Sequence, residues 1–353
     1  MRIILTRRRI LIGMAGLAVA GLLVAGSGVI NVGASSGHWR ITYWALHWVM
    51  QNSVRTYALL EPQPPADLGG AALVRRAAGH FETSCAFCHG SPLHERPRLA
   101  THMTPMPPRL EGTAAKWTPR ELARIVRHGV KYTGMPAWIA QGRDDEVWAM
   151  VAFLRALPDM NRDDYRRIAF GPPVPQDRVL EGCARCHGTE GGSDDGAFPV
   201  IGGQSETYLV ETLRAFAGGR RHSGIMQFAV DGLSEADMAR MARHYAGQTG
   251  LSEEAPAGET PGAVIARHGL PQADVPACES CHGASARRNP AYPRLAGQDA
   301  GYIAGQLRLM KQEARGGTGY LHIMQRIAGR LPDDAIDEVA AFYSAAGRGR
   351  PAQ

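Results

Sequence analysis

The first long hydrophobic segment of the chain has no polar interruption that carries charge. Ile10 to Ile30 holds no ionisable side chain, follows the cluster Arg7-Arg8-Arg9, and has about the 20 residues that a helix needs to cross a bilayer. The arginines should stay on the inner side. A cleaved signal peptide is the other reading, with Val32-Gly33-Ala34 as its small-residue site, and the length of the apolar run favours an anchor. Just beyond, Trp39, Tyr43, Trp44 and Trp48 recur at three-to-five-residue spacing on a helix. Such a stripe suits a membrane–water interface, and it suits a core-packing helix equally well.

The pattern then turns to short amphipathic helices. Leu73, Ala77 and Phe81 mark one that ends at Cys85, and Thr118-Pro119-Arg120-Glu121 is a capping box that opens another to about His128. Val147, Val151 and Leu154, with Trp148 and Phe153, predict a third from Asp144 to Leu157. Pro172, Pro173 and Pro175 read as a linker, and residues 248–262, rich in Glu, Pro and Gly, as a second. The stretches on either side of that second linker repeat each other. Cys183 and Cys278 are 95 positions apart; Pro199 and Pro293, Gly203 and Gly297, Gln204 and Gln298, Tyr208 and Tyr302 are 94 apart; Met226 and Met324, Tyr245 and Tyr343 are 98 apart. Fixed landmarks with small changes in loop length indicate duplication. The expected class is all-α, divided as 1–34 anchor or signal, 35–68 aromatic segment and linker, 69–158 first unit, 159–174 linker, 175–247 second unit, 248–262 linker and 263–349 third unit.

All six cysteines fall in three copies of one motif: Cys85-Ala-Phe-Cys88-His89, Cys183-Ala-Arg-Cys186-His187 and Cys278-Glu-Ser-Cys281-His282. On a helical turn the two thiols can each form a thioether to a haem vinyl group while the next imidazole meets the iron, and Cys-x-x-Cys-His is the c-type haem attachment pattern. A zinc site would need a second ligand pair in each unit, and a thioredoxin-like dithiol would occur once beside a βαβ pattern. Three covalent haems c are therefore expected, with His89, His187 and His282 as proximal ligands.

A low-spin electron-transfer haem needs a second axial ligand, and a Met sulfur paired with His raises the potential. In the first unit Met135, in Tyr132-Thr-Gly-Met-Pro-Ala-Trp138, is the candidate, with Met103, Met106 and His128 as rivals. The Gly-Met-Pro context resembles the ligand loop of class I cytochrome c.

The last two units resemble the dihaem cytochrome c4 family. Its pattern of Cys-x-x-Cys-His-Gly, then Pro-x-Leu-x-Gly-Gln, a Tyr, a basic Gly-Arg segment, the ligand Met and a final helix ending in Tyr is matched by Pro199-Val-Ile-Gly-Gly203-Gln204, Pro293-Arg-Leu-Ala-Gly297-Gln298 and Gly219-Arg220. The likeness runs from about Pro175 to Gly347 and implies Met226 and Met324 as the distal ligands, with His222 and His322 as nearby rivals. In the third unit the basic segment is displaced to Ala314-Arg315-Gly316, which leaves its contact to a propionate open. The Gln and Tyr landmarks suit either propionates or the seam between the units.

Charge adds little. The net charge is +6, but Arg2, Arg7, Arg8 and Arg9 precede the apolar run, so the rest is close to +2 and no nucleic-acid binder. With both axial positions filled by protein, what remains is one-electron exchange. The expected role is a tri-haem wire at the periplasmic face of a bacterial inner membrane. It would run from a membrane dehydrogenase or quinol-oxidising complex to an oxidase or soluble cytochrome, and it suits the cytochrome subunit of a membrane dehydrogenase or respiratory complex. A haem peroxidase or reductase would need one five-coordinate iron, and each unit offers a Met to fill that position.

Overall fold

A computed structural model describes residues 6–174, 176–192, 195–285 and 288–346. Arg2, Pro175 and the last residues of the third unit, 347–349, lie outside them. The described chain is helical throughout, with no strand among the described residues beyond isolated bridges.

The helix α1 (Arg7–Gly26) is capped by Thr6, whose hydroxyl accepts the Arg9 amide at 3.4 Å, and none of its side chains is buried. Over its length a helix of that size rises about 30 Å, the thickness of a hydrocarbon core. Next comes α2 (Arg40–Ala58). Its first half leaves the whole aromatic stripe exposed, from 53% for Tyr43 to 83% for Trp39, so those rings do not pack a core. Only its last turns are buried, at Val54 and Ala58, where they meet the first unit.

In that unit α3 (Ala71–His80) runs into a π-helical turn, Phe81–Cys85, and then the turn Ala86–His89. Thr118 and Glu121 form the expected capping box at the start of α4 (Pro119–His128). The helix α5 (Asp144–Ala156) is buried over most of its length and packs against α3. Glu61, just past α2, is buried against α4, where Arg127 lies at 2.9 Å and Arg124 and His128 at 3.4 Å.

One expectation changes here. Residues 159–174 read as linker, yet they contain α6 (Arg162–Phe170), capped by the Asn161 side chain. Tyr165 and Ala169, four apart, are fully buried on α3, and Tyr165 packs with Phe81 and Phe153 at ring-centroid distances of 6.4 and 6.2 Å. The prolines begin only after this helix, so the polar run Asn161-Arg-Asp-Asp164 disguised a helix start as a loop.

The second unit consists of α7 (Arg178–His187), α8 (Glu206–Ala217), α9 (Gly224–Ala229) and α10 (Glu235–Ala246). The third has α11 (Pro261–His268), the turn Glu279–His282, α12 (Ala300–Lys311), α13 (Leu321–Arg330) and α14 (Asp333–Ser344). Their duplication is visible in the bonding. Gly203 N–H donates to the Tyr245 carbonyl and Gly297 N–H to the Tyr343 carbonyl, each at 2.9 Å. Gly203 takes φ +69° and Gly297 φ +88°, a region that a Cβ disfavours.

Candidate haem sites and the seams between them

In each unit a helical turn presents the motif, which places Cys i and Cys i+3 on one face and the His just beyond. The imidazoles of His187 and His282 are only 9% exposed. His89 Nδ1 lies 2.8 Å from the Pro108 carbonyl, and His282 Nδ1 lies 2.8 Å from that of Pro293. Such a bond fixes the tautomer with the proton on Nδ1 and leaves Nε2 as the free donor, the arrangement that metal-ligating histidines use. Pro199 stands beside His187 as Pro293 stands beside His282, but His187 Nδ1 makes no hydrogen bond and is an orphaned buried nitrogen. Burial lowers the pKa of all three imidazoles, to about 4 for His187, so each is neutral at physiological pH.

All six thiols are free, and burial pushes those of Cys85, Cys183, Cys186 and Cys278 up to about 11. A reactive dithiol or a thiolate metal site needs the opposite shift. Among the described residues no three His, Cys, Asp or Glu side chains gather as a metal cluster. The donor set in each unit is one imidazole and two free thiols on one helical turn, which fits covalent haem.

Met135, Met226 and Met324 are all half-buried. Met135 sits in the loop after α4, with its amide on Thr133 Oγ1 at 3.1 Å and its carbonyl accepting from Val130 N–H at 3.3 Å. Met226 lies on α9, where the Ser223 cap accepts its amide at 3.0 Å, and Met324 lies on α13 against the third core. Among the rivals, His128 is paired with Glu61, His222 Nδ1 is 3.0 Å from the Ala314 carbonyl, and His322 Nδ1 is 3.1 Å from that of Gly319. Met106 is 53% exposed, whereas the Met103 methyl lies against Gly134, next to Met135.

The seam between the second and third units is built from landmark residues. Gln298 accepts the Val200 amide at 2.9 Å and donates to its carbonyl at 2.8 Å; Gln204 accepts the Arg294 amide at 2.8 Å and donates to its carbonyl at 3.1 Å. The glutamines thus serve the seam. In the basic segment the sequence pointed to Arg220, which is exposed; the buried residue is its neighbour Arg221, 6% exposed, with Arg315 of the third unit 8% exposed. Arg221 donates to the Tyr302 hydroxyl at 2.9 Å and to that of Tyr208 at 3.3 Å, and Arg315 to Gln306 at 2.6 Å. The hydrogen-bond partners of both guanidiniums among the described residues are neutral groups. Two buried cations held only by neutral groups keep an uncompensated positive charge at the seam. Burial, together with the charge of Arg221, brings Arg315 down to about 10.

The seam between the first and second units was not legible at all. Its centre is Glu146, 2% exposed on α5, which receives hydrogen bonds from Trp138 of the first unit and from Ser223 and Gly224 of the second. A buried carboxylate inside an acidic helix start, Asp144-Asp145-Glu146, looks like ordinary dipole compensation.

Residues 72–154 match the family model described as cytochrome c oxidase, cbb3-type, subunit III. Over 165 residues the chain is 32% identical to a cytochrome c4 of Pseudomonas aeruginosa, covering 45% of this chain and 81% of that protein. It is 32% identical over 169 residues to a thiosulfate dehydrogenase electron acceptor of Thiomonas intermedia, covering 46% of this chain and 77% of that protein. Among solved structures, the reduced recombinant cytochrome c4 of Pseudomonas stutzeri is 28% identical with a TM-score of 0.43, covering 48% of this chain and 95% of that one.

Proposed function

The chain belongs to the c-type cytochromes of the cytochrome c4 family, and from that premise we propose that it is a tri-haem, membrane-tethered wire that passes single electrons from a membrane-associated donor to a periplasmic acceptor. It is an electron carrier and not an enzyme. The observation that carries the number three is the recurrence of one geometry: a Cys-x-x-Cys-His turn whose imidazole, half-buried at His89 and buried at His187 and His282, stands beside a proline carbonyl at Pro108, Pro199 or Pro293. In this reading the six cysteines hold three haems, His89, His187 and His282 are proximal ligands, and Met135, Met226 and Met324 are distal ligands.

Haem, once attached, supplies reversible one-electron exchange between ferric and ferrous iron. The protein does the rest. Neutral imidazoles would offer Nε2 without competition from a proton, thioether sulfur would favour the reduced iron, and each of these side chains is at least half-buried. Arg221 and Arg315 would hold propionates and keep their charge at the inner seam. The three units follow one another in the chain, and the first is the one joined to α2.

The tether rests on α1, which is apolar and unburied, with a mean hydropathy of 2.0 over its best window, and on the exposed aromatic half of α2. Trp and Tyr at this position favour the headgroup layer. With α1 retained, the units stand on the periplasmic side of the inner membrane, and the donor is a membrane dehydrogenase or quinol-oxidising complex. The acceptor is an oxidase or a soluble cytochrome; the relative from Thiomonas intermedia, named for accepting electrons from a dehydrogenase, supports a redox-protein partner.

The deciding experiment is haem counting on protein matured with c-type haem, by pyridine haemochrome, with a carbon monoxide challenge. Three haems per chain, all low-spin and indifferent to carbon monoxide, are expected. Two haems, or one that binds carbon monoxide, would overturn the reading.

A further inference from the structure

Two loops that belong to different units share one carboxylate. Glu146 Oε2 accepts the Trp138 indole N–H at 3.1 Å and the Gly224 amide at 2.7 Å. Its Oε1 accepts from the Ser223 hydroxyl and forms an ion pair with Arg143 at 3.0 Å. Trp138 stands three positions after Met135, and Gly224 two positions before Met226. Ser223, while donating to Glu146, also accepts the Met226 amide and caps α9. The carboxylate therefore holds the loop of one Met and the helix start of the other in a single register.

The surroundings allow little slack. A Cβ added to Gly224 would overlap the Trp138 indole, so the ring rests directly on the backbone of α9. The half-buried ring of His80, at the end of α3, lies between Trp138 and Phe228, with centroid distances of 5.1 and 5.4 Å. One residue earlier, a Cβ on Gly79 would come within 3.1 Å of Cys186 Sγ, so α3 of the first unit leans on the attachment turn of the second. Arg143 donates to the His222 carbonyl at 2.6 Å, and His222 N–H donates to the Arg315 carbonyl at 2.8 Å, which links the same seam to the third unit.

We propose that Glu146 is a positioning residue for internal electron transfer: it locks the Met135 loop onto the Met226 helix, so that the first and second haems exchange electrons directly through a fixed seam. The step moves one electron from a ferrous to a ferric haem, and no bond is made or broken. This inference rests on Met135 and Met226 as distal ligands. Tunnelling responds steeply to separation and packing, so a seam that loosens would slow the exchange while leaving each haem intact.

The test uses the full haem-loaded chain and two variants, Glu146→Gln, which keeps the shape, and Gly224→Ala, which wedges Trp138 away without changing charge. Three readouts are taken: the rate at which an electron introduced by flash photoreduction equilibrates among the haems, the Trp138 indole N–H resonance in the reduced protein, and the sulfur-to-iron charge-transfer band. Both variants should shift the indole resonance and slow equilibration several-fold, with haem content and the charge-transfer band retained. An unmoved resonance would overturn Glu146 as the clamp, and a moved resonance with the original rate would overturn its part in electron transfer. Met135→Ala and Met226→Ala, read by carbon monoxide binding, report separately on the ligands, so a failure there is told apart from a failure of the seam.

Discussion

Gln298 of the third unit closes a two-point bond on Val200 of the second, taking its amide at 2.9 Å and giving to its carbonyl at 2.8 Å. Gln204 does the same to Arg294 in the opposite direction, so the two units clasp each other by a pseudo-twofold exchange. Gln298 is 5% exposed, so Gln298→Ala strands a buried amide and carbonyl, at a cost of about 1–3 kcal/mol. Denaturant unfolding of the haem-loaded protein should register that loss, and Gln204→Ala should match it.

Arg221 and Arg315 place two positive charges at this seam without a carboxylate partner among the described residues. A cation near a haem stabilises the ferrous form, which carries less positive charge, and so raises the potential. Replacing Arg221 by Met should lower at least one midpoint potential by tens of millivolts, since a charge about 10 Å away at an effective dielectric near 20 contributes on the order of 1–2 kcal/mol. Spectroelectrochemical titration reads the shift directly.

Each Met proposed as a distal ligand has its own signature. Met135→Ala, Met226→Ala and Met324→Ala should each convert one haem of three to a high-spin, carbon monoxide-binding form and leave the other two as they were. If Met103, beside Gly134, took the place of Met135, the spectrum of Met135→Ala would stay low-spin.

Tyr165 tests whether α6 belongs to the first unit. Its ring is fully buried against Phe81 and Phe153, and its hydroxyl donates to Glu82 at 2.5 Å. Tyr165→Ala should destabilise the first unit by roughly 3–5 kcal/mol, as large aromatic truncations do in cores. Tyr165→Phe keeps the ring and should cost about 1–3 kcal/mol through Glu82 alone. Thermal melts followed at the haem bands give both values.

The exposed rings of α2 should bind lipid on their own. A chain shortened to start after Gly26 is expected to co-sediment with vesicles, and Trp44→Ala with Trp48→Ala to release it, because indoles favour the headgroup layer.

Local signals in this sequence are strong where one residue type has one physical use. Pro119 after Thr118 and before Glu121 can only begin a helix well, and the structure begins one there. The repeat offsets paired Gly203 with Gly297, and the two stand in equivalent bonds because a duplicated chain keeps its backbone geometry. What was hidden depends on partners far along the chain. Arg220 and Arg221 are alike in composition, and only the approach of the third unit decides that Arg221 is the one enclosed. Glu146 reads as a surface charge until Ser223, 77 positions away, is brought against it. Tyr165 and Ala169 show a helical period too short to outweigh the polar run before them.

Glu61 has a mechanical consequence. By holding Arg127 at 2.9 Å and Arg124 and His128 at 3.4 Å, while Arg120 grips the Leu59 and Glu61 carbonyls, it rivets the end of α2 to α4. A cytochrome on a slack leash would sweep a hemisphere above the bilayer and meet partners at any height. Under the tethered reading, α2 and the first unit would swing as one body, and the swivel would fall in residues 27–39, between α1 and α2.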